Sequence, residues 1–188
     1  MRPLPSLIAL CCTAILSQSI SAVTQHDELK KAAASLIPPF AQDLMATVKQ
    51  AKEDGGPVKA VAACQTLAPE IANQHSTADW TIGRTSLKTR NRNNAPDAWE
   101  RSVLANFAER AARGEDAKSI SHAETVNGQF RMMKAIPIQE DCLGCHGTSI
   151  KPDITAALDE KYPDDQARGY AVGDIRGAFT LRYLGAQE

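Results

Sequence analysis

Cys142-Leu143-Gly144-Cys145-His146 constrains this chain more than any other feature. One tight turn must present two thiols across a two-residue gap, with an imidazole next to the second. Each thiol of a C-x-x-C-H run adds across one porphyrin vinyl group, and the histidine beneath the ring gives a nitrogen to iron. The run occurs once, so the expectation is one covalent haem c, bonded through Cys142 and Cys145 and ligated by His146. Gly144 and Gly147 would clear room where backbone passes close to the macrocycle. Three other uses of paired cysteines fit less well. A structural zinc site needs four ligands, and a second pair is missing. A thioredoxin-like dithiol belongs beside a βαβ unit that the pattern lacks. A plain Cys142–Cys145 disulfide is the blandest alternative.

The compartment follows from the first residues. Arg2 supplies a positive start, and Leu7 to Leu16 is an apolar run of signal-core length, too short to span a bilayer. Cleavage is expected after Ala22, giving a signal peptide at 1–22, one domain at 23–188 and a periplasmic mature protein. Lipidation at Cys11 or Cys12 is the alternative, but Leu10 stands where a small residue is wanted. No other apolar stretch is long enough for a membrane span. The formal net charge is -1, with both signs interspersed, which argues against a nucleic-acid partner or a polybasic membrane patch. Removing the signal leaves Cys64, Cys142 and Cys145. If haem consumes the pair, Cys64 has no disulfide partner.

Helices come first and strands later. His26 to Asp54 reads as a helix broken or bent at Pro38-Pro39 and ended by Gly55-Gly56. Pro57 opens a second helix to about His75, with Val61, Cys64, Ala68, Ile71 and His75 on one face. Trp80 to Leu87 reads as a strand, and Thr89 to Ala95 as a polar loop. Pro96-Asp97 begins a helix with Glu100 in its first turn and a buried stripe of Trp99, Val103, Phe107 and Ala111, ended by Gly114. Asn127-Gly128 joins two extended runs, 119–126 and 129–138, as a hairpin. A short helix is expected over 154–162. A half-buried strand follows, with Ile175, Gly177, Phe179, Leu181 and Tyr183 on its inner face. The order argues for a single α+β domain with an antiparallel sheet.

The residue opposite His146 on iron is less constrained. Candidates are Cys64, His75, His122, His26, Met45, Met132 and Met133, or no ligand. Met132 and Met133 lie on opposite faces of one strand, so at most one faces haem. Cys64 lies on the apolar face of its helix, where an unpaired thiol also serves as an ordinary small hydrophobe. Pro69 cannot donate to the Gln65 carbonyl, so a bend is expected just after Cys64. His75 shares the face about three turns further on, and both cannot reach one iron. These patterns leave Cys64 slightly ahead of the field.

Longer runs carry a resemblance. They are Ala63-Cys64 with Ala68-Pro69-Glu70-Ile71-Ala72, Gly83-Arg84-Thr85-Ser86-Leu87-Lys88, Arg90-Asn91, and Asn94-Ala95-Pro96-Asp97-Ala98-Trp99-Glu100. They continue through Cys142 to Gly147, Tyr162 to Ala167, and Gly173 to Ala178. Across nearly all of the mature chain this resembles a family of soluble c-type haem domains with a PAS-like fold, described from cyanobacteria and widespread in bacteria. The resemblance implies an antiparallel sheet flanked by helices with haem on one face. It also implies histidine and cysteine as the two iron ligands, the cysteine falling on Cys64. Arg92 stands where the family pattern suggests proline, which concerns only the local shape of that loop.

Arg84, Arg90 and Arg92 are candidate partners for the haem propionates, because guanidinium pairs well with carboxylate. A solvated basic loop is the equal alternative. Three roles compete. One is redox or gas sensing (CO or NO) through a separate redox or signalling protein, since the sequence runs out soon after its last strand. A second is simple electron carriage. The third, a peroxidase-type enzyme, needs an open iron position that a bound Cys64 would close, so the expectation is no enzyme. A thiolate ligand favours ferric iron and a low potential.

Overall fold

The computed structural model describes the backbone of residues 12–185 and the side chains of residues 23–185. Residues 1–11 of the expected signal segment, Cys11 among them, therefore lie outside the described residues, and of 12–22 only the backbone is described. Helix α1 runs Cys12–His75, followed by β1 (Trp80–Thr85), α2 (Ala98–Ala112), β2 (Ser121–Val126) and β3 (Gln129–Pro137). A one-turn helix α3 (Leu143–His146), then α4 (Pro152–Lys161) and β4 (Ile175–Tyr183) complete the order. Four antiparallel strands form one sheet in the order β1-β4-β3-β2, so the last strand lies between the first and the hairpin. This is the α+β arrangement of helices on an antiparallel sheet. Among the described residues, no helix is long and apolar enough to cross a membrane.

Local chemistry explains most boundaries. Gly56 has φ 75° and ψ -175°, a region open essentially to glycine, and with Gly55 it separates Cys12–Asp54 from the segment that Pro57 opens. The expected break at Pro38-Pro39 does not occur: non-helical dihedrals inside α1 fall only at the two glycines. Burial of Ala33, Ile37, Phe40 and Leu44 on either side of the proline pair outweighs the two lost hydrogen bonds. Past Cys64 and Pro69 the dihedrals stay helical as well. Asp97 and Glu100 form a reciprocal capping box at the start of α2. Asn127 (φ 52°) and Gly128 (φ 77°) make the hairpin turn. Pro152 at the first turn starts α4 two residues before its expected beginning.

The sheet is covered on both faces. Against α1 pack Trp80, Ile82, Phe130, Met132 and Leu181. Against α2 pack Met133, Ala135 and Ala178, with Val103, Leu104 and Phe107 from the helix. Strand β4 is therefore central, not half-buried, with Leu181 and Ala178 each fully buried on opposite faces. A register irregularity at Ile136/Pro137, where Pro137 pairs with Ile175, turns Ile175 toward α2 and away from the face it would share with Phe179.

Candidate functional site

The C-x-x-C-H run follows β3 directly. A 3-10 turn, Glu140–Cys142, passes into α3, and Gly147 ends it in extended backbone. A Cβ at Gly147 would lie 2.7 Å from the Leu143 carbonyl, so glycine is needed there by the turn itself. Around Gly144 a Cβ would meet nothing within 4 Å. Cys64, Cys142 and Cys145 are free thiols, all partly buried. The side chain of Cys142 packs with Ile138, Ala167 and Tyr170, and that of Cys145 with Val61, Ile154, Leu158 and Tyr162. Two apolar clusters thus flank the turn, one on each side.

The segment 165–170 holds the turn from behind. Gly147 and His146 carbonyls accept from the backbone N–H groups of Gly169 and Tyr170, both at 3.0 Å. The His146 Nδ1–H donates to the Ala167 carbonyl at 2.7 Å. That bond fixes the tautomer and leaves the Nε2 lone pair free, the arrangement a metal-ligating histidine uses. Burial, with help from Arg90 and Arg176, pushes the imidazole pKa down to about 3, so His146 is a neutral donor. Arg90 completes the clamp, bonding Asp165 twice and the Cys145 carbonyl at 2.6 Å.

A cavity of about 420 Å³ runs along edge strand β1, bounded by the second half of α1, the 90–95 loop and α3. Cys64 and His146 both line it, with Phe40, Tyr162, Arg84 and Arg176 among their neighbours. Burial pushes the Cys64 thiol pKa up, and Arg84 and Arg90 pull against that rise. Tyr162, buried and facing the same charges, is pushed up to about 12 and stays a neutral phenol.

The other candidate iron ligands are elsewhere. His75 is bonded to Asp43 at 2.7 Å and packs on Phe40. His122 pairs with Glu124 on β2, and His26 packs edge-on against Phe130. Met45 is exposed, while Met132 and Met133 fill the cores on opposite sheet faces. Among the charged candidates, Arg84 and Arg90 line the cavity, whereas Arg92 is exposed and paired with Asp164. Among the described residues, no three His, Cys, Asp or Glu side chains converge as a metal-ligand group. Sequence patterning missed Arg176, whose place on the polar alternation of β4 reads as solvent-facing.

A family model for Tll0287-like proteins matches residues 13–183. The chain belongs to the Tll0287-like family. Among solved structures it is similar to the crystal structure of the cyanobacterial heme-protein Tll0287, with 26% identity and a TM-score of 0.58. That match covers 86% of this chain and 98% of the other. No curated protein matches. The Tll0287-like assignment agrees with the family that the Cys64, Gly83–Lys88 and Cys142–Gly147 runs suggest.

Proposed function

We propose that this chain binds one haem covalently through Cys142 and Cys145, with iron held between His146 and Cys64, and handles electrons or reports redox state outside the cytoplasm. The observation that carries this is a single cavity lined by both Cys64 and the C-x-x-C-H histidine, residues far apart in sequence. The residues fit the group. His146 offers a free, neutral Nε2; Cys142 and Cys145, which do not line the cavity themselves, sit against apolar clusters beside the His146 turn; and the cavity wall is rich in guanidinium. The similarity to a cyanobacterial heme-protein supports the cofactor class. The hydrophobic run at 7–16 supports export to the periplasm, where covalent haem attachment takes place.

If Cys64 and His146 were both to hold iron, no position would be open for catalysis, and the favoured role is sensing through a separate redox or signalling partner. Bound haem supplies a reversible one-electron change and, when one ligand leaves, a position for CO or NO. Cys64 would be the ligand able to leave, because ferrous iron would hold an anionic sulfur less tightly and His146 is tethered beside Cys145. Cys64 also rides on the Pro57–His75 segment, set apart by Gly55-Gly56.

The test uses protein matured in a host with cytochrome c assembly. Haem should survive denaturation and acid-acetone extraction, and electron paramagnetic resonance of the ferric protein should show low-spin thiolate character that Cys64→Ala abolishes. Extractable haem rules out the covalent link, and identical ferric spectra rule out Cys64 as ligand. After reduction, wild type that binds CO supports sensing; wild type that refuses CO while Cys64→Ala accepts it makes simple electron carriage the better account.

A further inference from the structure

Four guanidiniums line the cavity, from Arg84, Arg90, Arg176 and Arg182, against one carboxylate, Glu100. Two of the four are already compensated. Arg90 is paired with Asp165, and Arg182 with Asp97 at 3.2 Å. Glu100 itself is shared by Arg131 and Arg182. The other two have no acid. Arg84 is paired with Phe179 through the sheet, but among the described residues its guanidinium makes no side-chain hydrogen bond and no ion pair. Arg176 bonds only neutral groups, the Ser86 hydroxyl at 2.8 Å and the Lys88 carbonyl at 3.1 Å. Both are partly buried, and burial lowers both pKa values. A partly buried charge without a counter-charge is unfavourable, so a cavity lined by two such cations suits an anionic occupant.

We propose that Arg84 and Arg176 would hold the two propionate carboxylates of the haem. This rests on the haem reading above. The charges match in number, two carboxylates for two uncompensated guanidiniums. They also match in placement. Arg84 stands on β1, opposite Phe179, where its charge is felt by Cys64 and Tyr162. Arg176 lies over the Tyr170 ring at 5.8 Å, and that ring meets His146 edge-on at 6.3 Å. A porphyrin carries its vinyl and propionate groups on opposite edges. Here Cys142 and Cys145 are set in apolar clusters and neither lines the cavity, whose wall carries Arg84 and Arg176. Arg90, spent on Asp165 and the Cys145 carbonyl, instead shapes the attachment turn, and Arg92 lies outside the cavity.

The experiment compares holoprotein carrying Arg84→Gln, Arg176→Gln, both together, and the matching lysine substitutions. Covalent haem per polypeptide, reduction potential from pH 5 to 9 and the propionate bending bands in resonance Raman are recorded for each. Expected are wild-type haem content, a lower potential in each glutamine variant and the lowest in the double, because a lost cation favours ferric iron. The potential should also become more pH-dependent as the freed propionates titrate within the range. Lysine should restore the potential but still shift the Raman bands, since it keeps the charge and loses the planar fork. That arm stands if the glutamine variants fail to fold. Wild-type potentials, pH profiles and bands in every variant overturn the proposal. A wild-type potential that moves with added phosphate at fixed ionic strength overturns it too, because the arginines then serve a free anion. Wild type lacking covalent haem is a different result, and it removes the haem reading itself.

Discussion

Arg90 and Asp165 meet through two hydrogen bonds, Nε to Oδ1 at 3.1 Å and Nη2 to Oδ2 at 3.2 Å, with the carboxylate side chain 1% exposed. Asp165 also accepts from Arg168 and from the Ala167 N–H at 2.9 Å, so one buried acid organises the segment that carries the acceptor of His146. His146 and the turn that bears it are thus oriented by residues outside the C-x-x-C-H run.

Replacing Asp165 by Asn leaves Arg90 without its counter-charge in a buried position. The expected loss is about 3 kcal/mol of unfolding free energy, typical for breaking a buried ion pair. It should appear as a lower urea midpoint with an unchanged slope. A loss under about 1 kcal/mol would mean that the pair behaves as an exposed one.

The same substitution fixes a pH dependence. Burial pushes the Asp165 carboxyl up, but hydrogen bonds from Arg90, Arg168 and the Ala167 N–H outweigh it and hold the pKa below the usual carboxylate range. A depressed folded-state pKa contributes stability that is complete above the unfolded value, about 3.9, and is lost as pH falls through the folded value. The stability difference between wild type and Asp165→Asn should therefore be flat from pH 7 to pH 5 and shrink below about pH 4. Urea midpoints of both proteins across that range measure it, and a difference already closing at pH 6 contradicts the assignment.

What was legible in the sequence was local. Asn127-Gly128 and Gly55-Gly56 each encode a backbone conformation in adjacent residues, and each appears where expected, as does the start of a helix at Pro96-Asp97. Pro38-Pro39 misled because proline reports only the hydrogen bonds it removes, whereas Ile37 and Phe40 are buried around it. The two-sided burial of β4 and the turned Ile175 depend on neighbouring strands, which alternation within one strand does not register. The site divides in the same way. Cys142, Cys145 and His146 form a contiguous motif, while Cys64 stands among several candidates in the sequence, and only the fold shows that it lines the same cavity as His146. Arg176 was missed because a cation alternating on a strand looks the same whether it faces water or a cavity.

Gly177 is fixed by its neighbours. A Cβ there would lie 2.4 Å from the Thr85 carbonyl and 3.2 Å from Ser86 Cβ, and Gly177 is held in β4 opposite Ile136 of β3. Neither element can yield cheaply, so Gly177→Ala should cost about 1–3 kcal/mol. Gly83→Ala, with nothing within 4 Å of the added carbon, is the control and should be nearly silent in the same unfolding assay.

Gly56 is a second backbone-determined position. Its φ of 75° with ψ near 180° lies outside what a residue with a Cβ readily adopts, although no atom lies within 4 Å of the added carbon. Gly56→Ala should therefore cost about 1–3 kcal/mol through strain alone. Thermal unfolding checks this, and an unchanged midpoint would show that the joint between the two halves of α1 relaxes freely.

The last prediction separates residues that pack from residues that ligate. Met132 is 3% exposed and Met133 fully buried, each within an apolar cluster. Truncating either to alanine should cost about 2–5 kcal/mol. His75→Ala removes the 2.7 Å contact with Asp43 and should cost about 1 kcal/mol, a typical value for one hydrogen bond. His122→Ala breaks a partly exposed pair with Glu124, and Met45→Ala trims an exposed side chain, so both should change stability by under about 1 kcal/mol. None of these side chains lines the cavity shared by Cys64 and His146. All five variants should therefore keep the ferric absorption and resonance spectra of wild type, however large their loss of stability, while Cys64→Ala should change the spectra. A stability loss is expected wherever a buried group is removed; a spectral change is expected only where an iron ligand is. If a methionine or histidine variant loses the wild-type spectrum while Cys64→Ala keeps it, the ligand has been misassigned, and the Cys64 side of the cavity is packing alone.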